Sequence, residues 1–255
     1  AIDADGKISD EAQLDERVCE CCQTAATLTS EGVIAVYRDR SNTEVRDIYT
    51  VRNSKGSWTS PSAIHADNWQ INGCPVNGPA IAADNSRVAV AWYTQTNNEP
   101  RVNLAFSNDA GATFGQPVIV DNGQAVGRVD VLLLPDGSAL VCWLAGTVDA
   151  GEIKVRRITK DGALGPISSI AETDISRSSG FPRMARLGNT VHFAWTEFGL
   201  AAADPLAEDV VGEHGRDGDR EARGRHDQRL ADRARDLLDR QGAAGRHAGQ
   251  CVIDA

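Results

Sequence analysis

The 255-residue chain has no stretch of 18 consecutive apolar residues, which excludes a membrane-spanning helix. It is also poor in cations: 26 Lys and Arg stand against 36 Asp and Glu, a formal net charge of −10. A nucleic-acid surface needs clustered Lys and Arg, so no nucleic-acid partner is expected. Six cysteines are too few to staple a chain of this length, although four of them, Cys19, Cys21, Cys22 and Cys74, lie early. Residue 1 is alanine and no charged-then-apolar leader follows. The expectation is a secreted or periplasmic protein whose signal peptide has been removed. What the chain does have is 41% apolar composition, enough to bury a real core in one large domain or two small ones.

The strongest pattern is a long-range repeat. Four apolar strands end in an aromatic: "GVIAVY" at Tyr37, "VAVAW" at Trp92, "ALVCW" at Trp143 and "VHFAW" at Trp195, spaced 55, 51 and 52 residues apart. Before each comes a short strand and a turn ("TSEG", "ADNS", "PDG", "LGN"). After the first three come a loop and a third strand ("DIYTVR", "VNLAF", "IKVRRI"), then "NSKGSW", "SNDAGATF" or "TKDGALG" and a fourth strand. Gly56, Gly111 and Gly162 keep the same register, 55 and 51 residues apart. In "SNDAGATF", Asn108 and Asp109 can bond back to the backbone and Gly111 tolerates positive φ, so the stretch reads as the turn between third and fourth strands. One four-stranded unit cannot cover its own apolar faces. Groups of four short strands at this period therefore predict an all-β chain folded as a β-propeller of radially stacked blades, in preference to a sandwich.

The pattern stops after Trp195. Residues 200–255 contain no Ser, Thr, Asn, Lys, Phe, Tyr, Trp or Met, but nine Arg. One reading is a solvated linker or charged helix over "DQRLADRARDLLDR". The other, which the composition favours, is a frameshift product of a GC-rich gene. The expected organisation is an N-terminal segment (1–18), an incomplete propeller (19–199) of about three and a half to four blades, and a disordered or helical tail (200–255).

"SNDAGATF" resembles the Asp-box (BNR repeat) of the sialidase, or neuraminidase, superfamily, S-x-D-x-G-x-T-W, with Phe114 in place of Trp; "NSKGSW" and "TKDGALG" resemble worn copies. "VIAVYRDRSNTEVRDIYTVRNSKGSWTSP" is similar to the first blade of bacterial exo-sialidases. The resemblance covers residues 19–198 and implies a propeller of about six blades when intact. It also implies a glycoside hydrolase acting on sialosides, with three arginines gripping the substrate carboxylate, a Tyr–Glu nucleophile and an Asp acid/base. Arg40 matches the arginine after the second strand, with Arg128 and Arg183 completing the grip and Asp130 beside them. The family's first arginine belongs near "CCQT", and none is in that stretch, while the acid/base loop "SNTEV" offers only Glu44. Asp47 matches a structural position. Tyr, Glu and the last Arg would come from later blades, so hydrolysis by this chain is not expected. The alternative is a non-catalytic exported propeller that binds a glycan or a protein, an acidic glycan being the partner the arginines suit.

In a propeller the innermost strands begin at one mouth of the axis. Here those entrances are "CECCQT", "GCPVNGP", "GRVDV" and "GFPRM", carrying Cys19, Cys21, Cys22, Gln23, Cys74, Asn77, Arg128, Asp130 and Arg183. The four cysteines read either as disulfides tying the first blade to the second or as a thiolate site for zinc or another soft ion. No other cofactor is expected. Arg128, Asp130 and Arg183 read equally as an ion pair at the mouth. Arg38 and Arg46 read as solvated strand ends, and Trp69 as closing a blade edge or stacking on a sugar. His65 and His192 are expected to be structural, and Cys142 a small buried hydrophobe.

Overall fold

The computed structural model describes residues 2, 4–9, 11–147, 150–196 and 250–252. Four antiparallel sheets follow one another along the chain. The first comprises β1 (Ala25–Thr29), β2 (Gly32–Arg38) and β3 (Ile48–Ser54), with two short pieces, β4 (Ser57–Trp58) and β5 (Ser62–Ala63), both paired to β3. Pro61 lies between the pieces, and a residue without an N–H cannot extend the ladder. The second sheet is β6 (Ala80–Asp84), β7 (Arg87–Thr94), β8 (Arg101–Ser107) and β9 (Val118–Asp121). The third is β10 (Ala125–Leu133), β11 (Ala139–Gly146), β12 (Gly151–Ile158) and β13 (Leu164–Thr173). The fourth is β14 (Gly180–Leu187), β15 (Thr190–Thr196) and β16 (Gln250–Val252).

Helix among the described residues is limited to a turn of 3-10 at Thr96–Asn98, and none is long and apolar enough to cross a membrane. The strand β16 falls in the segment where sequence periodicity ends. The rest of that tail, including the charged helix and the frameshift reading, lies outside the described residues.

Strands run in chain order within each sheet, and the first strands of successive sheets are neighbours: β1 with β6, β6 with β10, β10 with β14. The sequence of the second strands explains this stacking. Along β7, Val88, Val90 and Trp92 join Ile34, Val36 and Ile48 of the first sheet, while Ala89, Ala91 and Tyr93 join Val129, Val131, Val141 and Trp143 of the third. Along β11, Leu140 and Cys142 turn the other way, to Met184, Val191 and Phe193 of the fourth. A strand covered on both faces reads as a continuous apolar run, which is what β7 and β11 are. Cys142 is thus a core residue, as its place in the strand suggested.

Tyr37, Trp92, Trp143 and Trp195 occupy corresponding places near the ends of β2, β7, β11 and β15. Three of them bond an aspartate on the segment leading into the sheet. Tyr37 Oη donates to Asp15 at 2.5 Å, Trp92 Nε1 to Asp67 at 2.6 Å and Trp143 Nε1 to Asp121 at 2.7 Å, over separations of 22, 25 and 22 residues. Trp92 and Trp143 are fully buried. By area, burial of each indole stabilises by at most about 4–6 kcal/mol. The carboxylate satisfies the one polar atom that burial would otherwise leave unpaired.

Candidate functional site

The "SNDAGATF" turn folds around Asp109. Its carboxylate accepts from Thr113 N at 2.9 Å, Thr113 Oγ1 at 2.6 Å and Ser107 Oγ at 2.7 Å, while Ser107 Oγ accepts from Gly111 N at 2.9 Å. These bonds, Thr113 first, hold the Asp109 pKa down at about 2. Gly111 has φ +79°, and a Cβ there would lie 2.2 Å from Ile34 Cδ1. The turn is therefore a device for seating the second sheet on the first. It leaves the entrances of the inner strands to carry any ligand chemistry.

At those entrances a line of polar contacts crosses all four sheets. Gln23 Oε1 accepts from Gly78 N at 3.0 Å, and Gly78 admits this approach because a Cβ would meet Gln23 O at 2.0 Å. Asn77 donates to Val126 O at 3.0 Å and accepts from Arg128 N at 2.7 Å. Arg128 in turn donates to Ser179 O and lies over the Phe181 ring, 4.9 Å from its centroid. Gly127–Arg128 and Gly180–Phe181 both have positive φ, and the ladder register shifts there in β10 and β14. Such bulges re-aim side chains at a strand entrance. Gln23, Gly78, Arg128, Phe181 and Arg183 line one shallow cleft.

Several residues behave differently from their sequence reading. Arg38 is not a solvated strand end. It is 1% exposed, and its guanidinium donates to Asn77 O at 2.7 Å, Arg46 O at 2.5 Å and Tyr93 O at 2.6 Å. Burial lowers its pKa, yet a guanidinium remains charged at neutral pH. Arg46 is buried too, donating to Glu44 at 2.8 Å and to Cys19 Sγ at 3.0 Å. Trp69 offers no sugar platform, but its segment does run along the edge of the first sheet: Trp69 O accepts from Arg46 N at 2.8 Å and Gln70 bridges Val45. The Trp69 ring is buried between Arg38, 4.9 Å from its centroid, and Tyr93, whose ring stands edge-on at 5.6 Å.

Of the expected carboxylate grip, Arg128 and Arg183 line the same cleft, whereas Arg40 is not among its lining residues. Arg40 grips Glu44 with both Nε and Nη2, at 2.9–3.2 Å. Glu44 also binds Arg46 and Arg17, and its bonds to Arg40 and then Arg46 bring its pKa to about 2. An acid/base group needs a pKa raised toward the working pH, so Glu44 is tuned in the wrong direction for that role. Asp130 accepts from Met184 N at 2.7 Å and pairs with Arg183 at 3.4 Å; burial raises its pKa. Arg128 takes no part in that pair. Asp47 fixes the loop backbone, accepting from Asn68 N and Trp69 N at 2.9 and 3.0 Å. Arg177, which the sequence reading passed over, is exposed beside the mouth, donates to Cys74 O at 3.3 Å and lies close enough to Arg128 to lower its pKa after burial does. Its only signal was its place just ahead of the "GFPRM" entrance.

The early cysteines converge. Cys22 N bonds Cys19 O at 3.1 Å, a turn that draws the Cys19, Cys21 and Cys22 sulfurs to 3.3–3.9 Å from one another. Cys21 is joined to Cys74 by a disulfide with Cα atoms 6.1 Å apart, tying the segment before the first sheet to the one before the second. Cys19 and Cys22 are free thiols, and burial pushes the Cys22 pKa up to about 11.

No protein-family model and no curated protein matches the chain. Among solved structures, the Hadza microbial sialidase superposes with a TM-score of 0.50 at 19% identity, over 69% of this chain and 42% of that one. A protein of unknown function from Dyadobacter fermentans gives 0.48 at 18% identity, over 68% and 56%. A thermostable family-43 glycoside hydrolase gives 0.45 at 11%, over 68% and 62%. The chain therefore has the fold of the glycosidase-type β-propellers and spans less than half the length of that sialidase. At this identity the likeness is one of fold alone.

Proposed function

We propose that the chain is part of an exported sialidase-superfamily propeller of about six blades, and that its described portion binds an acidic glycan without hydrolysing it. The observation that carries this reading is where the arginine charge goes. Arg38 and Arg128 are directed onto backbone carbonyls and Arg40 onto Glu44, while Arg177 and Arg183 remain exposed, Arg183 in a long 3.4 Å pair with Asp130. Two exposed guanidinium groups suit a carboxylated sugar by bidentate pairing. The Asp109-centred turn supports reading "SNDAGATF" as an Asp-box. The Cys21–Cys74 bond supports an oxidising compartment. The test uses the full chain with a fluorogenic sialoside and with 3′-sialyllactose. Saturable binding of sialyllactose over lactose, with no released fluorophore at high protein concentration, is the expected result. Turnover abolished by Arg40→Ala overturns the reading in favour of the hydrolase.

A further inference from the structure

The cysteine cluster is unused by a glycan-binding mouth, and its geometry has a chemistry of its own. A zinc ion bound by four thiolates at about 2.3 Å spaces its sulfurs about 3.8 Å apart. The Cys19, Cys21 and Cys22 sulfurs already stand 3.6, 3.3 and 3.9 Å from one another, and Cys74 brings the fourth sulfur from a second segment. Four thiolates around a divalent ion carry a net charge of −2, which a half-buried site must offset. Arg46 donates to Cys19 Sγ at 3.0 Å, and Arg38 is within Coulombic reach of Cys19 and Cys22. Arg46 already pairs with Glu44, and Arg38 has Asp67 and Asp47 within Coulombic reach, so the two guanidinium groups stand ready to offset part of a tetrathiolate's charge.

We propose that Cys19, Cys21, Cys22 and Cys74 form a redox-gated site for a thiophilic divalent ion such as zinc, closed in the disulfide form described above. Opening it takes a dithiol reductant. Two electrons and two protons pass to the Cys21–Cys74 bond, which breaks to two thiols as the reductant closes to its own disulfide. The metal then binds four sulfurs as their four protons leave to solvent. A disulfide oxidant reverses the sequence and expels the ion.

The experiment uses the full chain carrying Cys251→Ser, reduced with a dithiol, desalted without oxygen and titrated with Co2+ and then Zn2+. Reduced protein should take up about one ion per chain with intense thiolate-to-cobalt absorption, and the oxidised protein less than about a tenth of that. Cys22→Ser should weaken binding by at least about tenfold and Arg46→Met by about tenfold, as outer-shell partners do. Cys142→Ala, outside the cluster, should leave it unchanged. Reduced protein that keeps its tryptophan fluorescence but binds no metal overturns the proposal, as does equal loss from Cys142→Ala and Cys22→Ser. Should reduction unfold the chain, Cys74→Ser decides. It lacks the disulfide as the reduced chain does and retains three sulfurs, so Co2+ that restores native tryptophan emission together with thiolate absorption supports the site, and Co2+ that restores neither overturns it. Neither result bears on glycan binding, which is read separately with sialyllactose.

Discussion

Replacing Arg38 with methionine tests the claim that the arginine beside the first inner strand belongs to the fold. Methionine fills much of the same volume but donates nothing, so the carbonyls of Asn77, Arg46 and Tyr93 lose their partner together. Each buried acceptor left unpaired costs about 1–3 kcal/mol, and the lost contact with Trp69 adds about 1 kcal/mol. Relief of the desolvated charge offsets part of this, leaving a net loss of about 3 kcal/mol or more. That is a large share of the roughly 5–15 kcal/mol that holds a domain together. Arg38→Lys should also be costly, because one ammonium cannot span three divergent carbonyls. Urea unfolding followed by tryptophan fluorescence measures the change, with the rim variant Arg40→Met, expected to move the midpoint far less, as the control. A loss below about 1 kcal/mol for Arg38→Met refutes the reasoning and returns Arg38 to solvent or ligand.

Gly111→Ala should destabilise by about 1–3 kcal/mol in the same assay, since it adds a Cβ onto Ile34 at positive φ; an unchanged midpoint contradicts the seating role of the turn. Trp92→Phe should cost about 1–3 kcal/mol by leaving Asp67 without its indole donor, whereas Trp58→Phe, at an exposed position, should cost almost nothing. Asp109, Asp136 and Glu44 have folded pKa values of about 2, below the ordinary carboxylate range near 4. Their contribution is therefore complete above about pH 4 and disappears as pH falls toward about 2; Asp109→Asn should flatten that part of a stability-against-pH curve.

The sheet order was legible because β7 and β11 are covered on both faces and so appear as unbroken apolar runs ending in a ring. The matching places of Tyr37, Trp92 and Trp143 follow from that same burial, whereas Trp195 is only partly buried. The entrance residues could be counted back from those rings, which is why Gln23, Asn77 and Arg128 fall on one line of contacts. What could not be read was the direction in which arginines point. The acceptors of Arg38 are backbone carbonyls 39, 8 and 55 residues away, and a carbonyl leaves no mark in composition. The partners of the Trp69 ring were hidden for the same reason, Arg38 and Tyr93 being distant in sequence. The strand β16 was invisible because its pairing with β15 spans a segment without strand periodicity.

The most direct test of a mouth that binds but does not cut is calorimetric titration of 3′-sialyllactose into the full chain and into the double variant Arg177→Ala, Arg183→Ala. Loss of both exposed guanidinium groups should weaken binding by about tenfold or more, at least 1.4 kcal/mol, with the native tryptophan emission retained. Equal affinity for wild type and variant contradicts the account, because it leaves the ligand with no arginine to hold it.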